Sequence, residues 1–245
     1  HEQHSLTGNR INHSEIPTLQ IQKGIIHMEK RVKYEYKEML AASAKRFYGD
    51  HCSPGFDSGD ISIRDLETGY IYAYPNMKPG FKVYNWGELK PENIAVVDID
   101  GNLIEKDYEP TIEIPMHLEI YKARPETQVI LHSHPKWSSI YACARKTIPL
   151  TLAEQGLFLG GETPCAEYAP AGALAVGTNI VKVLGKTHNT ALLANHGAVV
   201  LGSSISECFE RSAFLEHAAM VACFAQLVGG AVEIGMDEIL DPSLM

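Results

Sequence analysis

The sequence predicts an α/β domain, and three observations carry that reading. Beyond Met28 apolar residues recur at three- and four-residue steps, the period of an amphipathic helix. Residues 61–65 alternate, and residues 128–131 form a buried-strand run. A long helical pattern then follows a capping signature at Ser204. No internal repeat or linker-like stretch divides these elements, so residues 28–245 read as a single domain. Residues 1–27 are polar, carry His1, His4 and His13, and precede a Met that resembles a natural start. They are expected to be a leader or expression-derived segment, flexible by default.

Each element follows from local chemistry. Val32, Tyr36, Met39, Leu40, Ala44 and Phe47 share one face of the first helix, which Gly49-Asp50 should end. A loop over 52–60 leads into strand 61–65, and Leu66-Glu67-Thr68-Gly69 turns the chain into a second strand, 70–74, to complete a hairpin. Residues 75–80 make a loop of the kind that lines ligand sites. A strand over 93–99 meets the tight-turn residues Asp100-Gly101-Asn102. Thr111 opens the next helix, with Pro115 in its first turn and Arg124-Pro125 at its end. Glu113 and His117 stand four apart on that helix and so share a face. After the run 128–131, Pro135 suits the first turn of a helix over 136–145. Further on, 148–152 read as a strand, 156–161 as a loop, 167–170 as a short extended piece and 178–184 as a helix. Residues 191–202 read as one apolar strand interrupted by Asn195-His196-Gly197. Ser204 with Glu207 forms a capping box for the last helix, which carries His217 and ends at Gly229-Gly230.

Composition narrows the function. The net charge of −9 argues against a nucleic-acid surface, which needs a basic face, yet leaves room for an anionic small molecule in a local pocket. Five cysteines, odd in number and scattered, fit a reducing cytoplasm better than a disulfide framework. No apolar run reaches the ~18 residues of a membrane span. A cytoplasmic protein with a small-molecule partner is therefore expected.

The histidines carry the chemistry. His132 and His134 flank Ser133 at a strand end, and side chains two apart on a strand point to one face. Such a pair on a rigid platform makes half of a metal site. His196 sits in the later apolar run, where an imidazole needs a partner. A hydrogen-bonded core histidine would also satisfy that position. Three histidines with an open fourth position suit Zn²⁺ or a similar divalent ion. Glu113 is then the acid/base candidate, although a Glu at a helix N-terminus also simply favours the helix dipole.

Glu113-Ile114-Pro115-Met116-His117, Ala123-Arg124-Pro125, His132-Ser133-His134 and Asn195-His196-Gly197 together resemble the class II aldolase/adducin family over residues 28–230. The resemblance implies a three-layer α/β/α fold around a mainly antiparallel central sheet, assembled as a homotetramer with sites at subunit interfaces. It implies His132, His134 and His196 as ligands of one divalent ion per subunit: Zn²⁺ first, with Mn²⁺ or Co²⁺ as alternatives. Glu113 would be the acid/base residue of a retro-aldol cleavage that needs no Schiff-base lysine. Adducin-type members that lost catalysis also lack the histidines, which this chain keeps.

The substrate end departs from the family pattern. The family's sugar-phosphate aldolases use neutral donors at three dipeptides, and these fall here on Gly59-Asp60, Pro75-Asn76 and Thr111-Ile112. Asp60 would repel a phosphate and Pro75 offers no N–H. Lys78, Lys82 or Arg64 could compensate. The family's proton-donating tyrosine falls on Ala153, beside Glu154, and a C-terminal tyrosine is also missing. Gly59, Asp60, Asn76 and Thr111 are the expected substrate-facing residues. The expected function is a metal-dependent aldolase acting on a small hydroxy-ketone or ketose, a ketose 1-phosphate included. A related metal-enolate enzyme (epimerase, dehydratase or decarboxylase) is the alternative, and a non-catalytic adducin-like interaction domain is a third.

Overall fold

The computed structural model describes residues 31–50, 52–54, 58–76 and 85–239, together with the backbone of Ile21–Gln22 and Ile25–Ile26. The chain divides into His1–Arg31 and Val32–Met245. In the first unit Ile21–Gln22 and Ile25–Ile26 pair as a short antiparallel ribbon. The leader reading of residues 1–27 otherwise lies outside the described residues, as do Lys78 and Lys82.

The second unit is built on a seven-stranded sheet. Its strands are β1 (Asp60–Arg64), β2 (Ile71–Ala73), β3 (Ala95–Val97), β4 (Val129–Ser133), β5 (Cys165–Ala166), β6 (Thr190–Leu193) and β7 (Gly197–Gly202). They lie in the order β3-β2-β1-β4-β7-β6-β5, and every pair is antiparallel except β5 with β6. The helices are α1 (Tyr34–Gly49), α2 (Ile114–Ala123), α3 (Lys136–Ala144), α4 (Leu174–Leu184) and α5 (Ile205–Ala225).

Period-two alternation makes the three layers. Ile61, Ile63, Val129, Leu131 and Val200 pack with Leu40, Phe47, Ala142 and Leu215 of α1, α3 and α5. Ile71, Ile130, Val199 and Leu201 pack instead with Ile120 and Tyr121 of α2 and Ile180 and Leu184 of α4. Each such fully buried aliphatic side chain contributes about 2 kcal/mol. A one-residue slip of β1 against β4 would place Asp60 and Ser62 in the aliphatic layer and remove Ile61 and Ile63 from it. The register Asp60 to His132 and Ser62 to Ile130 is therefore strongly specified, and it brings Asp60 beside the histidine strand.

Several elements differ from the sequence expectation. The first helix starts at Tyr34, and α2 starts at Ile114 because Thr111–Glu113 form a preceding turn, with Ile114 N–H donating to the Thr111 carbonyl. Residues 148–152 make only one bridge, between Ile148 and Thr163. Pro149 lacks an N–H, and the Gln155 side chain captures the N–H groups of Thr151 and Leu152, so no ladder extends. The loop expected at 156–161 contains a π-helical turn, Gln155–Leu159. The helix expected from Thr178 begins at Leu174. Ser204 does cap α5, accepting from Glu207 N–H, whereas the Glu207 carboxylate returns to Ser203 rather than to the cap residue.

Candidate active site

β4 delivers the histidine pair. His132 and His134 project on one side while Ser133 between them points to the other, and their Nε2 atoms lie 3.1 Å apart. His132 Nδ1 is 3.0 Å from the Ala198 carbonyl on the neighbouring strand. A proton on Nδ1 donates to that carbonyl, which leaves the Nε2 lone pair facing His134 and fixes the ring.

The third histidine is not in the middle of a strand. Asn195 adopts a left-handed φ of 55° and reverses the chain, so His196 occupies the turn of a hairpin between β6 and β7 and is half-buried. That turn is tied to α3: Asn195 N–H donates to the Ala142 carbonyl, and Asn195 Oδ1 accepts from Arg145 Nε at 2.8 Å. Gly197 lets the turn approach β4, because a Cβ there would meet the Ser133 carbonyl at 2.3 Å and His134 Cδ2 at 2.8 Å. Gly197→Ala should therefore destabilise the fold by about 1–3 kcal/mol, read by thermal denaturation. An unchanged midpoint would show that the hairpin can retreat at no cost.

The three imidazoles meet with ring centroids 4.8 to 4.9 Å apart, and their candidate ligand atoms all lie within 4.8 Å of one another. Burial, together with their mutual repulsion as cations, holds His132 down at about 3 and His134 at about 4, and burial lowers His196 as well. All three are thus neutral at physiological pH with lone pairs available. This donor set, with one ring oriented by a backbone carbonyl, fits a divalent transition-metal ion.

Glu113 stands just before α2 and is 5% exposed. Its Oε1 accepts from Gly172 N–H at 3.1 Å, whereas Oε2 is buried with no hydrogen-bond partner. Burial, reinforced by the negative charge of Asp60, raises its carboxyl to about 7. Asp60 behaves oppositely. Burial would push it up, but the His117 imidazole 2.9 Å from Oδ1 and the Thr111 hydroxyl 2.6 Å from Oδ2 hold it at about 2.

A cavity of 320 Å³ opens over these groups. Glu113, His132, His134 and His196 line it together with Gly59, Asp60, Asn76 and Thr111, so the fold brings the expected acid/base, ligand and substrate-facing residues to one cavity. Trp86 also lines it, donating from Nε1 to the Gly59 carbonyl at 3.0 Å, and no sequence signal marked that residue. His117 carried a signal, its four-residue spacing from Glu113, but its partner Asp60 was not foreseeable. Arg64 does not serve the cavity: its guanidinium donates to the carbonyls of Tyr121, Pro125 and Thr127. Ala153 and Glu154 are exposed and do not line the cavity either.

Residues 38–223 match the Class II Aldolase and Adducin N-terminal domain family. An L-fuculose phosphate aldolase of Methanococcus maripaludis is 30% identical over 163 residues, 66% of this chain and 82% of the relative. A 5-deoxy-D-ribulose 1-phosphate aldolase of Bacillus thuringiensis is 25% identical over 203 residues, 83% of this chain and 91% of the relative. Among solved structures, an L-fuculose 1-phosphate aldolase superposes with a TM-score of 0.78 at 26% identity, covering 85% of this chain and 94% of its own. The chain belongs to the class II aldolase and adducin family. Within that family it is an aldolase, a carbon–carbon lyase of the kind that uses a divalent metal ion, and the histidine triad could bind one. Among the described residues no helix is long and apolar enough to cross a membrane, and all five cysteines are free.

Proposed function

We propose that the chain cleaves a ketose 1-phosphate by a retro-aldol reaction, releasing glycerone phosphate and an aldehyde. The observation that carries this reading is the unpartnered Glu113 Oε2 in the same cavity as three converging, neutral imidazoles. His132, His134 and His196 would hold the metal, Zn²⁺ before Mn²⁺ or Co²⁺. When bound, the ion supplies electrophilic stabilisation of the charge that develops on the substrate's carbonyl oxygen. Glu113 moves the proton. Burial and the charge of Asp60 raise its carboxyl to about 7 in the metal-free chain, which favours its holding a proton that it can return to the carbon freed by bond cleavage. Asn76 and the backbone at Gly59 offer neutral donors to the phosphate end. The names of the two curated relatives, both aldolases of sugar phosphates, support a phosphorylated substrate.

A second reading, an unphosphorylated hydroxy-ketone or another metal-enolate reaction, draws on a specific feature. Among the described residues lining the cavity none is Lys or Arg, while Asp60 and Pro75 are present. Glycerone phosphate release from a panel of ketose 1-phosphates, with and without chelator, separates the two. Chelator-sensitive release is expected. An isomer or a single dehydrated or decarboxylated product from metal-loaded protein would favour the second reading. We further assign the chain to the cytoplasm as a homotetramer. The exposed apolar side chains Phe224, Leu227, Val228 and Val232, around and beyond the end of α5, support association between copies.

A further inference from the structure

The geometry points to Asp60 as a positioning residue for Glu113, acting through Thr111 and itself held by His117, rather than as a contact for substrate. The inference rests on the reading of Glu113 as the proton shuttle. Asp60 lines the cavity but is only 2% exposed; Thr111 donates to its Oδ2, and its Oδ1 lies at ion-pair distance, 2.9 Å, from His117 Nε2 without hydrogen-bond alignment. Hydrogen-bond chemistry fixes the direction of the relay. An ionised carboxylate only accepts, so the single Thr111 hydroxyl proton goes to Asp60 Oδ2 at 2.6 Å. The Thr111 oxygen then presents its lone pairs to Glu113 N–H at 3.2 Å. Glu113 is thereby anchored twice, at its backbone by Thr111 and at Oε1 by Gly172 N–H, and Oε2 is left without a partner at the cavity.

The relay is braced from behind. His117 Nε2 lies 2.9 Å from Asp60 Oδ1, and its Nδ1 lies 2.7 Å from Ser62 Oγ. Ser62 Oγ in turn meets Tyr121 OH at 2.8 Å. Asp60, Ser62, His117 and Tyr121 are all buried, so the arrangement has no slack toward solvent. It links β1 to α2 directly beneath the reacting groups. A substrate phosphate would have to displace the Thr111 hydrogen bond and overcome the burial of Asp60 to reach its carboxylate. An amide at position 60 retains an oxygen that accepts from Thr111, whereas a methyl group retains nothing.

Metal-loaded Asp60→Ala, Asp60→Asn and Thr111→Val proteins test the assignment by metal content, kcat and KM on the ketose 1-phosphate that the unaltered chain cleaves. Asp60→Ala and Thr111→Val should keep their metal and lose about 100-fold in kcat, because a displaced catalytic group costs about that much. KM should change by less than about twofold, and Asp60→Asn should recover most of the rate. A changed KM for phosphorylated substrate at unchanged kcat would instead make Asp60 a substrate contact and overturn the proposal. Thr111→Val keeps the shape of the side chain and Asp60 itself, so it serves if Asp60→Ala fails to fold. A crystal structure of Thr111→Val gives an answer independent of turnover. Loss of the Glu113–Gly172 contact is expected, and an unmoved Glu113 overturns the positioning role. An inert unaltered chain would count against the proposed reaction alone.

Discussion

His132→Ala is expected to lose bound metal and to lower turnover by about a thousandfold, the equivalent of about 4 kcal/mol of transition-state stabilisation. The expectation rests on how the ring is held. Its Nδ1 faces the Ala198 carbonyl and its Nε2 faces the other two imidazoles, so no neighbouring group can replace it. The substitution also removes a fully buried ring and its hydrogen bond to the Ala198 carbonyl, which costs about 1–3 kcal/mol of stability. A parallel His196→Ala variant separates the two effects, because His196 lies in a half-buried turn where truncation disturbs little packing. Both variants should show empty sites by metal analysis, and only His132→Ala should melt clearly lower. Full metal occupancy in either would remove that residue from the ligand set.

What could be read from the sequence follows from how local each signal is. The His132–His134 pair was legible because strand period and spacing alone place both rings on one face. The hairpin of β6 and β7 was not, because Asn195 adopts its left-handed conformation inside a stretch that reads as one apolar strand with Asn195-His196-Gly197 as a mere interruption. The choice of His196 as a candidate ligand therefore rested on its residue type and the family motif rather than on its backbone. The false strand at 148–152 failed for a related reason. Its apolar residues fit a strand, but Gln155 takes two of its N–H groups from outside the segment. Asp60 shows the limit most clearly. The sequence marks a carboxylate where a phosphate donor was expected. Only the tertiary arrangement reveals that Thr111 already holds one of its oxygens and that His117 stands 2.9 Å from the other. Arg64 is similar, a charge that reads as free in sequence and is spent on three carbonyls in the fold.

Glu113→Gln should leave metal content unchanged, reduce turnover by about 10²- to 10⁴-fold, and stabilise the metal-stripped chain at alkaline pH. The glutamine oxygen can still accept from Gly172 N–H, so the anchor survives while the proton-transfer capacity is lost. The sign of the pH effect follows from linkage. In the folded, metal-free chain the Glu113 carboxyl sits at about 7, above its ordinary 4.5, because burial and the charge on Asp60 disfavour ionisation. Below pH 4.5 both folded and unfolded forms are protonated and the residue contributes no penalty. Between 4.5 and 7 the unfolded chain ionises first, so stability is lost as pH rises, and above 7 the loss is complete. After discounting for partial solvent screening, that loss is about 2 kcal/mol. Chelator-treated Glu113→Gln should accordingly melt like the unaltered chain near pH 4.5 and higher than it at pH 8. A residue kept only for structure would do the reverse, weakening the fold when replaced. Stabilisation together with inactivation is what a strained catalytic group predicts. Retained turnover at full metal load would remove Glu113 from the reaction, whatever the melting curves show.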